Sequence, residues 1–307
     1  MSFFRNIPYH LLRAVLVPLS ALPLGFHRAA GRFLGLLAGY VVRYRRAVVL
    51  ENLRASFPDR TDREIKQICR DFYLHLGTVI GEAVWFGSCT DRERLRRSHI
   101  VEMENPELLN RLYELGPSTM ALASHSGNFE LYGGYSTYAS YNGGMKYADS
   151  DLAMVYRKLS NSAWDRYMYR NRLAAMDVDK DFDGLVETSY IMRYVCMHRN
   201  EKKLYTFITD QFPYGPVATA EVDFLGRRTK AMMGGISLAR KFSMPVVYLG
   251  MPARRGGGYT IRYTLICEDA SLCDADYIVK EYYRLLEEDI KAQPENWLWS
   301  HRRWKTI

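Results

Sequence analysis

From residue 118 onward, short apolar runs of strand length alternate with segments of helical period. "STMALASHSGNFELYGGYSTYA" reads as a strand running into a helix, and "LAMVYRK" as a second short strand. "NSAWDRYMYRNRLAAM" has helical spacing, "KKLYTFITDQ" is a third strand, and "AEVDFLGRRTK" a fourth with a turn. "GGISLARKFSMPVVYLGMP" is a helix leading into a buried strand, and "GGGYTIRYTLICE" a strand with a glycine-rich entry. "DADYIVKEYYRLLEEDIKAQPENW" follows as an amphipathic helix. Alternation of this kind admits few architectures. Strands separated by helices pair side by side in a mostly parallel or mixed sheet, with helices on its faces. The predicted class is therefore α/β. No internal repeat, low-complexity tract or linker-like run interrupts the chain, whose 307 residues suffice for a sizeable core.

Before this region the texture differs. "YHLLRAVLVPLSALPLGFHRAAGRFLGLLAGYVVRYRR" is apolar but interrupted by Arg13, His27, Arg28 and Arg32. Its longest uncharged stretch, Ala14–Phe26, has 13 residues and holds Pro18 and Pro23, short of the roughly 20 that a straight transmembrane helix needs. No small-residue cleavage site follows, and a second apolar run begins at Phe33, which argues against a cleaved signal peptide. The segment suits an amphipathic or partly embedded membrane anchor, closed by Arg43, Arg45 and Arg46 with Tyr40 and Tyr44 between them. An ordinary pair of core helices is the competing interpretation. Residues 1–46 are thus assigned to the anchor and 47–307 to the main domain. A strong helix follows the anchor: Thr61 and Glu64 spell a capping box, and Ile65, Ile68, Phe72, Leu76 and Ile80 predict one buried face.

Three polar clusters fall at the ends of predicted strands: His125 to Glu130, then Arg157, then Asp210 and Gln211. In sheets of this type ligands bind beyond the carboxyl ends of the strands, so the three would share one edge. An imidazole is the natural proton acceptor near neutral pH, and a carboxylate partner fixes its tautomer. His125 and Glu130, spaced H-x4-E across a strand-to-helix turn, predict such a pair. Gly127 permits close approach to the backbone, and Asn128 is a candidate cap of the following helix. Each has a plainer interpretation: a structural histidine, a surface ion pair for Arg157, a strand-end cap for Asp210, and a helix cap for Asn161.

The net charge of +8 suggests an anionic partner, among which composition does not choose. The five cysteines (Cys69, Cys89, Cys196, Cys267 and Cys273) are irregularly spaced, which fits a reducing compartment and inert thiols. The seven histidines, among them His10, His75, His99 and His198, show no metal-binding spacing, and no cofactor is implied.

Several stretches, in order, resemble the bacterial lipid A biosynthesis acyltransferases, part of the wider lysophospholipid acyltransferase group marked by His-x4-Asp/Glu. "SHSGNFE" resembles the family's first motif, "ENLRASFPDRTDREI" the region after its anchor, and "VYRKLSN" its Tyr-Arg-x-x-x-Asn element, here Arg157 and Asn161. "ITDQFP" resembles its Asp-Gln element, "VDFLGRRTKAMMGGISLARKFSMPVV" the segment after it, and "PENWLWSHRRWK" its C-terminal signature. The segment 173–203 matches poorly, which leaves acceptor preference open. The resemblance implies a glycerolphosphate-acyltransferase-like sheet, and transfer of an acyl chain from an acyl carrier protein thioester, or acyl-CoA, to a hydroxyl of a phosphorylated glycolipid. It implies His125 as general base with Glu130 orienting it. It also implies Arg157 on an acceptor phosphate, and Asn161, Asp210, Gln211 and Asn128 as further binding residues. Oxyanion donors are sought among amides near Gly127 or at Gly234 and Gly235. Ser126 lacks the G-x-S-x-G setting of a nucleophile. The implied location is the cytoplasmic face of the inner membrane. Rival acceptors are a lysophospholipid, an aminolipid or a mannosylated phosphoinositide. Rival functions are an acyl hydrolase and a non-catalytic membrane-binding protein. In "WLWSHRRWK" the indoles of Trp297, Trp299 and Trp304 suit a membrane interface, with the cations of His301, Arg302, Arg303 and Lys305 on phosphates. A docked tail is the alternative. With no recognised nucleic-acid module around it, nucleic acid is not expected.

Overall fold

The structure, a computed structural model, describes residues 2–87, 92–134, 144–213 and 219–304. It opens with α1 (Ser2–Ser20), α2 (Leu24–Leu36), α3 (Arg46–Ser56), α4 (Asp62–Phe86) and α5 (Arg92–Ser98). Pro18 lies in the last turn of α1, and Pro23 precedes α2 with φ −59°. The bend between the two helices therefore falls where proline limits the backbone. The predicted capping box is present: Thr61 Oγ1 accepts from Glu64 N, and Thr61 N donates to Glu64 Oε2. Ile65, Ile68 and Phe72 are buried as expected, but Ile80 is 56% exposed. Past Leu76 the buried positions of α4 move to Gly77, Val79, Gly81 and Glu82, because α2 lies across that turn. Two glycines on each helix permit the crossing. A Cβ on Gly31 would meet Gly77 O at 2.2 Å, and one on Gly81 would meet His27 O at 2.3 Å. The two backbones touch where side chains would normally hold them apart.

Among the described residues, no helix is long and apolar enough to cross a membrane. The N-terminal helices nonetheless expose Leu11, Val15, Phe26, Phe33, Leu34, Val41 and Val42.

The rest of the chain alternates strands and helices: β1 (Val101–Met103), α6 (Pro106–Leu115), β2 (Thr119–Ala123), β3 (Leu152–Tyr156), α7 (Ser162–Leu173), β4 (Leu185–Glu187), α8 (Ile191–Met197) and β5 (Leu204–Ile208). Of these, β1, α6, β4 and α8 are added to the elements expected from the sequence. Then come β6 (Thr219–Phe224), β7 (Arg227–Met232), α9 (Gly234–Lys241), β8 (Val246–Gly250), β9 (Tyr259–Cys267) and α10 (Ala275–Ala292). Seven strands form one sheet in the order β1-β9-β8-β2-β5-β3-β4, parallel throughout except for the antiparallel pair β8–β9. The mixed, mostly parallel α/β architecture expected from the sequence is observed. β6 and β7 form a separate hairpin, closed by Leu225 and Gly226 at φ 51° and 73°. Two successive positive-φ residues match the twist of a tight hairpin.

β2 is buried at every position, and its side chains alternate between two cores. Met120 and Leu122 join the core under α9 and α10, whereas Ala121 and Ala123 join the one under α6. Such a strand lies at the centre of the sheet, and the loop after it emerges on the rim. The helix expected after β2 is a single 3-10 turn, Phe129–Leu131, and residues 135–143 of that expectation lie outside the described residues. Cys69, Cys196, Cys267 and Cys273 are free thiols, while Cys89 and Lys305 lie outside the described residues.

Candidate active site

The register of β2 against β5 aligns Ala123 with Ile208. Two residues beyond each strand end stand His125 and Asp210, so parallel pairing brings them level on the rim. His125 Nδ1 lies 2.7 Å from Asp210 Oδ1, and the His125 backbone N–H donates to Asp210 Oδ2 at 3.1 Å. With Nδ1–H given to the carboxylate, Nε2 is the acceptor of the ring. The Gln211 amide nitrogen sits 3.1 Å from it. The His125 side chain is 19% exposed and Asp210 1%, so the imidazole reaches solvent while its partner does not. Burial by itself would raise the Asp210 carboxyl pKa. The His125 contacts and the Trp297 hydrogen bond outweigh it and hold the group below the ordinary carboxylate range.

The expected pairing of His125 with Glu130 is corrected here. Both Glu130 oxygens are taken by Arg172 of α7, at 2.8 and 3.0 Å. The 3-10 turn commits Glu130 to the α7 side of the rim, whereas strand register supplies Asp210 to the imidazole. Asn128 does not cap the turn after it. It is fully buried and donates to Glu82 Oε2 at 3.0 Å, and Glu82 Oε1 accepts from Arg28 Nε of α2 at 2.7 Å. Gly127 has φ +62°, and a Cβ there would meet Met251 O at 2.5 Å, so only glycine fits. Its N–H, a candidate oxyanion donor from the sequence, is already given to Asn296 O at 2.9 Å. Its carbonyl accepts from His75 Nε2 at 3.3 Å.

Arg157 is exposed at the end of β3, on the same rim. β5 lies between β3 and β2, which separates Arg157 from the His125 strand by two strand spacings, about 10 Å. Asn161 caps α7, accepting from Ala163 N and Trp164 N, both at 3.1 Å. The C-terminal signature is a docked tail instead of a membrane face: Trp297 and Trp299 are buried, and Arg303 is buried against Tyr283 and the Lys230 carbonyl. Leu298 N donates to His125 O at 3.1 Å, and Ser126 bridges Trp297 in antiparallel fashion, so this tail forms a wall of the site. Sequence reasoning did not find Arg172, Glu82 or His75, whose partners lie 42 to 54 residues away along the chain. Among the described residues no group of three or more His, Cys, Asp or Glu could hold a metal ion.

A buried carboxylate, an imidazole whose second nitrogen is an acceptor, and an exchangeable amide on that nitrogen can take a proton from a hydroxyl as it attacks an acyl carbon. The family profile described as bacterial lipid A biosynthesis acyltransferase matches residues 4–306. The chain belongs to that family. As a lipid A biosynthesis acyltransferase it is an enzyme of lipopolysaccharide biosynthesis that takes an acyl donor and a lipid A-type acceptor. Acyltransferases of this family are membrane-associated. A comparison with curated proteins gives no match.

Proposed function

We propose that this acyltransferase moves a fatty acyl chain from an acyl carrier protein thioester to a hydroxyl of a phosphorylated glycolipid, with His125 as general base. The observation that carries this reading is the 2.7 Å contact between His125 Nδ1 and Asp210 Oδ1, which makes Nε2, where the Gln211 amide now sits, the accepting nitrogen. Nε2 takes the acceptor's hydroxyl proton as the oxygen bonds to the thioester carbon. The tetrahedral oxyanion collapses, the carbon–sulfur bond breaks, and the imidazolium returns its proton to the departing thiolate. Asp210 keeps the tautomer and stabilises the imidazolium. Gln211 gives up Nε2 to the substrate and turns its amide to the incoming oxygen. Arg157, exposed on the same rim, suits an acceptor phosphate because its fork matches phosphate oxygens. Glu130 serves with Arg172 as a strut between the His125 loop and α7.

The exposed apolar side chains of the N-terminal helices support docking on an anionic membrane surface, with Arg13, Arg32 and Arg43 set among them. In this reading the enzyme works at the cytoplasmic face of the inner membrane, where the acyl carrier is found. The test incubates purified protein with an acyl carrier thioester, with and without the glycolipid acceptor. Acyl-glycolipid formation, lost about 100-fold or more in His125→Ala, supports the reading. Release of free fatty acid alone would make the protein a hydrolase, and full activity of His125→Ala would remove the base.

A further inference from the structure

Three hydrogen-bond donors converge on the two oxygens of Asp210. Oδ1 receives His125 Nδ1 at 2.7 Å, and Oδ2 receives the His125 backbone N–H at 3.1 Å. The third donor is the Trp297 indole, whose Nε1 is 2.8 Å from Oδ2. Trp297 is 3% exposed, and its ring is held in one orientation by aromatic neighbours. Trp299 meets it at 4.7 Å edge-on, with Phe224 at 5.8 Å and Trp304 at 6.1 Å. Its backbone is held by the bridge to Ser126 and by Leu298 N on His125 O. An indole N–H only donates, so it can pair with the carboxylate and never compete for the imidazole proton.

The geometry points to Trp297 as a positioning residue for acyl transfer: its indole N–H clamps Asp210 Oδ2, which keeps Oδ1 on His125 Nδ1 and Nε2 turned toward the acceptor hydroxyl. The inference rests on the reading of His125 as the general base. The clamp also spreads the charge of the carboxylate. Without the indole donor, more of that charge falls on Oδ1 and the imidazolium is held more tightly. The base then deprotonates at higher pH.

The titratable and charged groups that face this pair are Tyr282 and Tyr283 of α10, His301 and Arg303 of the C-terminal tail, and Arg45, which precedes α3 and acts through His301. Burial pushes both tyrosines above their ordinary range and His301 down to about 4, which sets these neighbours apart from the His125–Asp210 pair in a rate profile.

The experiment replaces Trp297 with 3-benzothienylalanine, in which sulfur stands for the N–H at almost unchanged volume. Trp297→Phe is the second variant. Rates are followed against pH with an acyl carrier thioester and a phosphorylated glycolipid. A hydrogen bond to a charged group is worth a factor of roughly 10 to 100. We therefore expect kcat to fall about tenfold or more with KM unchanged, and the acid limb to move up by about half a pH unit. An unchanged kcat in the isosteric variant overturns the inference. So does a fall in kcat with the limb in place, since that is what loss of packing alone gives. If His125→Ala itself stays active, the base assignment fails instead, and the two failures are thereby distinguished.

Discussion

Adding one methyl group to Gly77 tests how tightly the N-terminal helices are seated on the enzyme. A Cβ there would lie 2.0 Å from Gly31 O and 2.7 Å from Gly31 C. Real contacts of this kind stop at 3.0 Å, so α2 must retreat by about 1 Å. Both colliding groups are backbone, so no rotamer change relieves them. Forced overpacking costs about 1–3 kcal/mol, and a backbone-on-backbone clash belongs at the upper end. Alanine is the better helix former by about 1 kcal/mol, which opposes that cost. The net expectation for Gly77→Ala is a loss of about 2 kcal/mol. At about 2 cal/mol/K per residue over this chain, that lowers the unfolding midpoint by about 3 °C. Gly25→Ala is the control: nothing lies within 4 Å of its Cβ, so only the propensity gain remains and the midpoint should rise by about 1.5 °C. Thermal unfolding of both variants in one detergent, followed by near-ultraviolet circular dichroism, reads the difference. A Gly77→Ala protein that melts at or above the wild-type temperature would refute the close glycine crossing.

Asp210→Asn should lower kcat by about 1000-fold or more with little effect on KM, because an amide facing Nδ1 favours the wrong imidazole tautomer; a loss under tenfold counts against Asp210 as the orienting group. Glu130→Gln strips the half-buried Arg172 of its carboxylate and should cost about 3 kcal/mol of unfolding free energy, read from denaturant curves, while leaving the acid limb of the rate profile unmoved. Burial lowers His75 from 6.5 to about 4, so the folded state resists a proton that the unfolded chain accepts. Its contribution is therefore complete above pH 6.5 and drains away as pH falls toward 4, by up to about 3 kcal/mol. Urea midpoints at pH 7 and pH 4.5 should differ less in His75→Gln than in the wild type, and equal differences would contradict the assignment. The double change Phe33→Asp with Val41→Asp should weaken co-sedimentation with anionic vesicles at least about tenfold, since both side chains are exposed on the proposed docking face.

The sequence announced the rim of the sheet because polar residues at strand ends are a local pattern. His125, Arg157 and Asp210 each follow an apolar run, and each does stand one or two residues past the end of a strand. Which carboxylate meets the imidazole was not legible, since it depends on strand order. β2 and β5 are neighbours although 80 residues separate them, and only their pairing sets Asp210 level with His125. Spacing favoured Glu130, five residues away in the chain, but a one-turn 3-10 helix commits it to Arg172. Ile80 fits the helical period of α4, yet α2 crosses at the glycines and leaves that position outside. Trp297 carried an interfacial composition signal, but its burial follows from the tail's pairing with residues 125–127, which no periodicity encodes.

One carboxylate, that of Glu82, holds Arg28 of the N-terminal helices with one oxygen and Asn128 of the catalytic loop with the other. That one side chain thus ties α2 to the loop that follows His125. Lifting α2 off its seat, by solvent extraction or by a crowded glycine, pulls on the loop behind His125 as well. Purifications that strip away surrounding amphiphile would then return a well-behaved but idle enzyme.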